Sequence, residues 1–191
     1  LAKRVVASSG GRPLFAVHLV SDWLERGFLE PSREGLRLKP GVDARVPANL
    51  EELFTVRIEL ILGDQSEAAL LALEVAACER PGFEDGDWVY CCGRLGLEAR
   101  TEWLDQLVNA ALLKVRDDGY RFAHRLLADC LRDRAERTGR RPVIHGAWAA
   151  CKQLLEQEDS PEQAESMGRH LIAAGHFEAA VHWLEKACQS A

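Results

Sequence analysis

Apolar residues recur every three or four positions over most of this chain and alternate over only two short stretches, which predicts helices joined by two small hairpins. Residues 12–26 carry an apolar stripe of Leu14, Phe15, Val17, His18, Val20, Trp23 and Leu24, with Pro13 suited to a first helical turn and Gly27 to the stop. Phe28-Leu29-Glu30 and Leu36-Arg37-Leu38-Lys39 alternate around a Pro- and Gly-containing turn and predict a hairpin. Asn49 is an N-cap for a helix whose inward residues are Leu50, Leu53, Phe54, Ile58, Ile61 and Leu62, ending at Gly63-Asp64. Ser66 opens a second helix, 67–79, apolar nearly all round and so expected to be well buried, with Pro81-Gly82 as its stop. After a less regular segment and a short helix over 86–94, residues 99–113 predict a strong helix with Trp103, Leu104, Leu107, Val108, Ala111 and Leu112 inward. A hairpin over 114–122 follows, with Asp118-Gly119 at its tip, and then a helix over 124–137. Helix, hairpin and helix in that order form the back half of a winged helix. The rest predicts helices at 142–157, 161–174 and 177–189.

Composition narrows the class. The chain has 191 residues, 47% hydrophobic and 28% charged, which gives enough apolar surface for one or two small ordered domains. The expected architecture is mainly α. It comprises a helix-and-hairpin segment over 1–48, a winged-helix domain over 49–138 and tetratricopeptide-like α-hairpins over 139–191. The formal net charge of −6 makes the chain as a whole a poor partner for phosphate backbones and anionic membranes. No apolar run approaches the roughly 20 residues of a membrane span, and the apolar stretch in the first nine residues is too short for a signal peptide. We expect a cytoplasmic piece of a longer polypeptide. The cysteines at 78, 91, 92, 130, 151 and 188 form no Cys-x-x-Cys pair and have no zinc-finger spacing, so reduced and mostly buried thiols are expected.

Two motifs and one repeat pattern go further. Gly10-Gly11-Arg12-Pro13-Leu14-Phe15 sets glycines, which allow close backbone approach, before a proline that offers a rigid apolar surface. Tyr120-Arg121-Phe122-Ala123-His124 places an imidazole at a helix N-terminus, where a donor and the helix dipole favour an anion. Gly175, Phe177, Ala179, Ala180 and Ala187 fill positions that a tetratricopeptide unit gives to glycine, an aromatic and small contact residues. In this order the chain resembles the signal-transducing ATPases with numerous domains, the STAND class. The nearest group is the large bacterial regulators in which such an ATPase precedes helical repeats, some with LuxR-type DNA-binding or Ser/Thr kinase domains. The resemblance spans nearly all of the sequence but not the family's N-terminal nucleotide-binding core. It implies that Pro13 packs on adenine, that His124 faces the β-phosphate of ADP, and that Gly11, Arg12 and Arg125 are their neighbours. Arg125 stands where the plant-type motif has an aspartate.

The resemblance therefore implies a regulatory switch and interaction fragment. It closes over ATP or ADP held by an upstream ATPase core and relays that state to downstream repeats and a protein partner. No phosphate-binding Gly-x-x-x-x-Gly-Lys-Ser/Thr loop is present, so the fragment is not expected to be an enzyme or to hold a cofactor alone, and no catalytic residue is assigned. His170, His176 and His182 are not read as metal ligands, because His176 lies near a helix junction and His182 on the surface of a repeat. Two alternatives remain. One is a winged-helix DNA-binding regulator reading through residues 99–113. However, Glu98, Glu102 and Asp105 balance Arg100, Lys114 and Arg116 there, so direct DNA contact is not expected. The other is a helical-repeat scaffold for protein–protein interaction. The run Arg132, Arg134, Arg137, Arg140 and Arg141 is read as a solvated helix face.

Overall fold

The computed structural model describes residues 1–9, 13–32, 35–42, 47, 49–117, 119–154 and 160–189. Among them the chain is mainly helical, with two separate antiparallel hairpins. It divides into two compact units, Leu1–Leu60 and Ile61–Ala191.

The first unit contains α1 (Ala2–Ser9), α2 (Pro13–Glu25), a hairpin of β1 (Leu29–Ser32) and β2 (Gly35–Leu38), and most of α3 (Leu50–Leu62). The sequence reading gave no helix for α1. Eight residues are too few to hold a helix in water, and α1 instead gains its stability by burying Val5 with Leu19, Trp23 and Leu29. On α2 the buried positions are Phe15, His18, Leu19, Asp22 and Trp23, an i, i+3, i+4, i+7, i+8 series. Val17 and Leu24, expected inward, fall off that face and are exposed. The predicted stop is correct: Gly27 takes a left-handed φ of 66°, and Phe28 N–H returns to Trp23 O at 2.8 Å. The β1–β2 register pairs Leu29 with Leu38, and Glu30 pairs with Arg37 at 2.8 Å. Asn49 caps α3 as expected, accepting from Glu52 N–H at 2.8 Å.

The second unit is organised around α4 (Ser66–Cys78), reached from α3 through a single 3-10 turn at Gly63–Gln65. Ser66 is the first residue of α4 and not its cap. Every residue from Ala72 to Cys78 is buried, in keeping with the nearly continuous apolar pattern. Two tryptophans seal α4 with their bodies and satisfy their N–H groups on its backbone. Trp88 Nε1 donates to Ala72 O at 2.7 Å and Trp148 Nε1 to Val75 O at 2.8 Å. A third, Trp103, donates to Gln65 Oε1 at 2.7 Å.

Around α4 lie α5 (Asp85–Arg94), α6 (Thr101–Asn109), the β3–β4 hairpin (Leu113–Arg116 and Gly119–Phe122) and α7 (Arg125–Arg137). α6 is shorter than expected. It ends with Ala111 at φ 55°, with Leu112 N–H bonded to Leu107 O and Ala111 N–H to Val108 O. This is a Schellman ending at a residue that disfavours it by about 1–2 kcal/mol. The tight exit puts Leu112 and Leu113 into the core, both at most 2% exposed, and burial of that size, about 1.5–3 kcal/mol per side chain, outweighs the strain. Phe83, in the segment without clear periodicity, bridges the hairpin: it exchanges backbone hydrogen bonds with Tyr120 at 2.9 and 2.8 Å. Three antiparallel helices follow, α8 (Arg141–Leu154), α9 (Pro161–Ala174) and α10 (Phe177–Gln189), each packed on the one before. Ser160 caps α9, and Gly168 lets α10 close on α9, because a Cβ there would lie 2.7 Å from Leu184.

Candidate functional site

Of the residues expected to meet a nucleotide, Gly11 and Arg12 lie outside the described residues. Pro13 is the exposed first residue of α2, in the first unit. His124 and Arg125 belong to the second. His124 is the N-cap of α7, with extended backbone (φ −128°, ψ 125°) and an exposed side chain. β4 delivers it directly: Leu112 O accepts from Ala123 N–H at 2.9 Å, which fixes the exit from the hairpin. Arg125, the first residue of α7, pairs one turn on with Asp129 at 3.5 Å, and its side chain is 86% exposed. The pair His124-Arg125 therefore presents an imidazole and a guanidinium together at an open helix N-terminus.

The arginine run after it is not the solvated face that the sequence suggested. Arg134 Nη1 and Arg140 Nη2 both donate to Glu74 Oε1, at 2.6 and 2.7 Å, and Arg140 Nε donates to Oε2 at 2.8 Å. Glu74 is fully buried in α4, so these bonds give its charge the partners that burial demands. The bond to Glu74 raises the Arg140 pKa further. Arg132 Nη1 donates to Ala77 O at 2.6 Å. Arg137, exposed in the last turn of α7, and Arg141, paired with Glu136 at 3.0 Å between exposed side chains, fit the expected pattern. A glutamate in a run of alanine and leucine was the available signal, but its partners lie 60 and 66 residues away.

A second buried network joins α4, α8 and α9. Lys152 Nζ pairs with Glu79 Oε1 at 3.2 Å, and Glu79 Oε2 lies 2.6 Å from His170 Nε2. His170 Nδ1 lies 2.8 Å from His145 Nδ1. Burial holds the pKa of both imidazoles down, that of His145 to about 3, and outweighs the pull of Glu79 on His170. Both rings are therefore neutral near pH 7. His170 donates through Nε2 to the carboxylate, which leaves Nδ1 to accept from His145. Burial alone would raise the Glu79 pKa, but the His170 bond and the charge of Lys152 bring it below its usual range. In the sequence His170 stood out only as a metal ligand to be weighed and set aside; His145, its partner, carried no periodic or motif signal.

Cys91 and Cys151 share a hydrogen bond across α5 and α8. It raises the Cys91 thiol, along with burial, and lowers the Cys151 thiol. Burial raises Cys78 and Cys92 to about 12 each. All six cysteines are free, four of them buried. Among the described residues, no group of three or more His, Cys, Asp or Glu is placed to hold a metal ion, and no helix is long and apolar enough to cross a membrane. A cavity of about 1470 Å³ opens in the first unit between α1, α2 and the hairpin, lined by Val5, Val6, Val20 and Leu36 among others, with Arg37 at its edge. Its lining is mainly apolar, with Ser32 and Arg37 as the polar side chains among the described residues. A cleft of about 470 Å³ in the second unit is polar, lined by Pro81, Gly82, Arg116, Asp117, Tyr120 and Arg121. No family model, no curated protein and no solved structure matches this chain.

Proposed function

We propose that this chain is the regulatory switch and interaction segment of a STAND-type signalling ATPase. The observation that carries the reading is the exposed His124 at the N-cap of α7, with Arg125 beside it, delivered by the β3–β4 hairpin. An N-terminus of that kind offers backbone donors, an imidazole and a favourable dipole to a phosphate group. Element order adds support. α4, the Phe83 bridge, α5, α6 and a hairpin follow one another as the parts of a winged helix do. The stacked α8, α9 and α10, with small residues where α9 meets α10, suit the opening of a helical-repeat array. In this reading the upstream core supplies the phosphate-binding loop and the ATP or ADP. His124 meets the β-phosphate, Pro13 offers its ring to adenine, and the helical end passes the nucleotide state to an effector or protein partner.

The test uses the intact parent protein, purified with its nucleotide and assayed for ADP retention during gel filtration. His124→Ala is expected to shorten retention and raise basal output, while the circular dichroism spectrum stays that of the parent. Unchanged retention in a folded His124→Ala protein would leave only a scaffold role for this segment.

A further inference from the structure

Three guanidinium groups converge on the last turn of α4 and the loop that follows it. Arg132 donates to Ala77 O, Arg169 Nη2 to Arg80 O at 3.5 Å and Arg121 Nε to Pro81 O at 3.4 Å. Carbonyl acceptors orient a guanidinium but cancel none of its charge. Arg80, exposed, stands among them. The Arg132 charge is the main influence that makes its protonation less favourable, followed by burial and then by Arg169 and Arg125. Arg125 is tied in through Asp129, which it shares with Arg132. Beyond the loop, Arg121 lines the polar cleft with Arg116. Lys114 is the cross-strand partner of Arg121 and lies two residues from Arg116 on the same strand, so all three leave one face of the hairpin. Seven cations thus run from the hairpin across the 80–82 loop to α7 and α9. Among the described residues, Asp117 lines the same cleft, Asp129 pairs with Arg125 and Arg132, Glu84 lies against Gly119 at the end of the hairpin, and Asp85 and Asp105 act on Tyr120.

Gathering like charges costs stability, and here it happens on a chain whose net charge is −6. The cations stand on four separate segments (the hairpin, the 80–82 loop, α7 and α9), so a single carboxylate or a compact phosphate would engage only part of them. A phosphodiester backbone presents closely spaced, permanently ionised groups along a line. Six of the seven cations are arginines, whose planar forks match phosphate oxygens in pairs. We propose that this row is a docking surface for a nucleic-acid backbone, bound through its phosphates and without reading sequence. Lys114 and Arg116 are the two cations that the acidic residues around α6 offset in sequence; the other five lie on β4, the 80–82 loop, α7 and α9. The inference stands apart from the switch reading; Arg125 alone is common to both.

The test is fluorescence anisotropy of the 191-residue chain with a labelled mixed-sequence DNA duplex at about 50 and about 200 mM salt. Expected is binding that weakens steeply with salt and is the same for a second, unrelated sequence. The Arg80→Glu/Arg121→Glu variant, both residues exposed, should lose at least about tenfold in affinity and flatten the salt dependence. Arg94→Glu, the same charge reversal at an exposed site on α5, should bind as the parent does. Circular dichroism accompanies each variant, and if the double variant loses structure the single Arg80→Gln is measured in its place. Three results would overturn the proposal: no binding at the lower salt, equal loss with Arg94→Glu, or displacement of the duplex by polyglutamate at equal charge, which would assign the row to an acidic protein.

Discussion

Glu74 sits among alanine, leucine and valine in the most buried helix of the second unit, and its charge survives there because two arginines reach it. Its carboxylate is 1% exposed, whereas Arg134 and Arg140 keep 26% and 32% of their side chains in water. The pairing is therefore lopsided: removing an arginine strands a buried charge, while neutralising the glutamate lets both arginines turn outward. Glu74→Gln keeps the shape and loses the charge-assisted bonds, and urea unfolding at neutral pH should show a loss of about 2 kcal/mol. Arg140→Ala should cost at least as much, because Glu74 then keeps a single partner. A smaller effect for Arg140→Ala than for Glu74→Gln would show that water reaches the carboxylate.

At the level of elements, close approach of backbone decides the arrangement as much as side-chain packing does. The 80–83 segment lies against the β3–β4 hairpin with the Phe83–Tyr120 bridge as its pin, and the Phe83 ring packs near Trp88, Tyr120 and Phe122. Gly82 makes this contact possible, since a Cβ there would lie 2.5 Å from the Tyr120 carbonyl oxygen. A carbonyl fixed in a strand ladder has nowhere to move. Gly82→Ala should cost about 1–3 kcal/mol and raise amide exchange at Phe83 and Tyr120 before it affects α9 and α10. Uniform exchange across the second unit would mean that the hairpin has no independent opening. Gly168 acts similarly between α9 and α10, but its neighbour is the Leu184 side chain, which can shift rotamer, so the same substitution is milder there.

Across the second unit, the Lys152–Glu79–His170–His145 chain joins the end of α4 to α8 and α9, and it sets a pH dependence for that whole assembly. Both histidines have folded pKa values below the unfolded value near 6.5, His145 at about 3. Between those values the unfolded chain binds more protons than the folded one. Stability is therefore fully present above about pH 6.5 and is lost as pH falls toward 3. From pH 6.5 to 5 His145 alone should remove about 2 kcal/mol, read as a falling midpoint in urea unfolding, and His170 adds to the loss in the same direction. His145→Phe, which no longer titrates, should flatten that dependence; an unaltered slope would place the proton uptake elsewhere. Glu79, whose pKa is depressed, adds to the loss at the acid end, again because the unfolded chain takes up its proton first.

The sequence by itself determined the elements whose cause is local. Apolar spacing placed α2 through α10 within a few residues, Asn49 capped as its position suggested although Ser66 did not, and Gly27 and Gly175 stopped their helices. It also put His124 at a helix N-terminus, because a hairpin followed by apolar periodicity leaves few other places for it. Tertiary structure decided what depends on groups distant in sequence. α1 exists through Val5 packing into another helix's face, α6 ends early because Leu112 and Leu113 gain more by burial than Ala111 loses by strain, and Phe83 pairs as a strand of one residue that leaves no period to detect. The arginines divide in the same way. Their spacing along α7 suggested a helix face in water, but a guanidinium on a long stem goes where an acceptor is. Two found a buried carboxylate in α4, and others found carbonyls of its last turn and of the loop after it, 40, 55 and 89 residues away. Periodicity records which face of a helix is apolar; it holds no record of which distant acceptor a charged side chain will meet, and that is settled only when the helices pack.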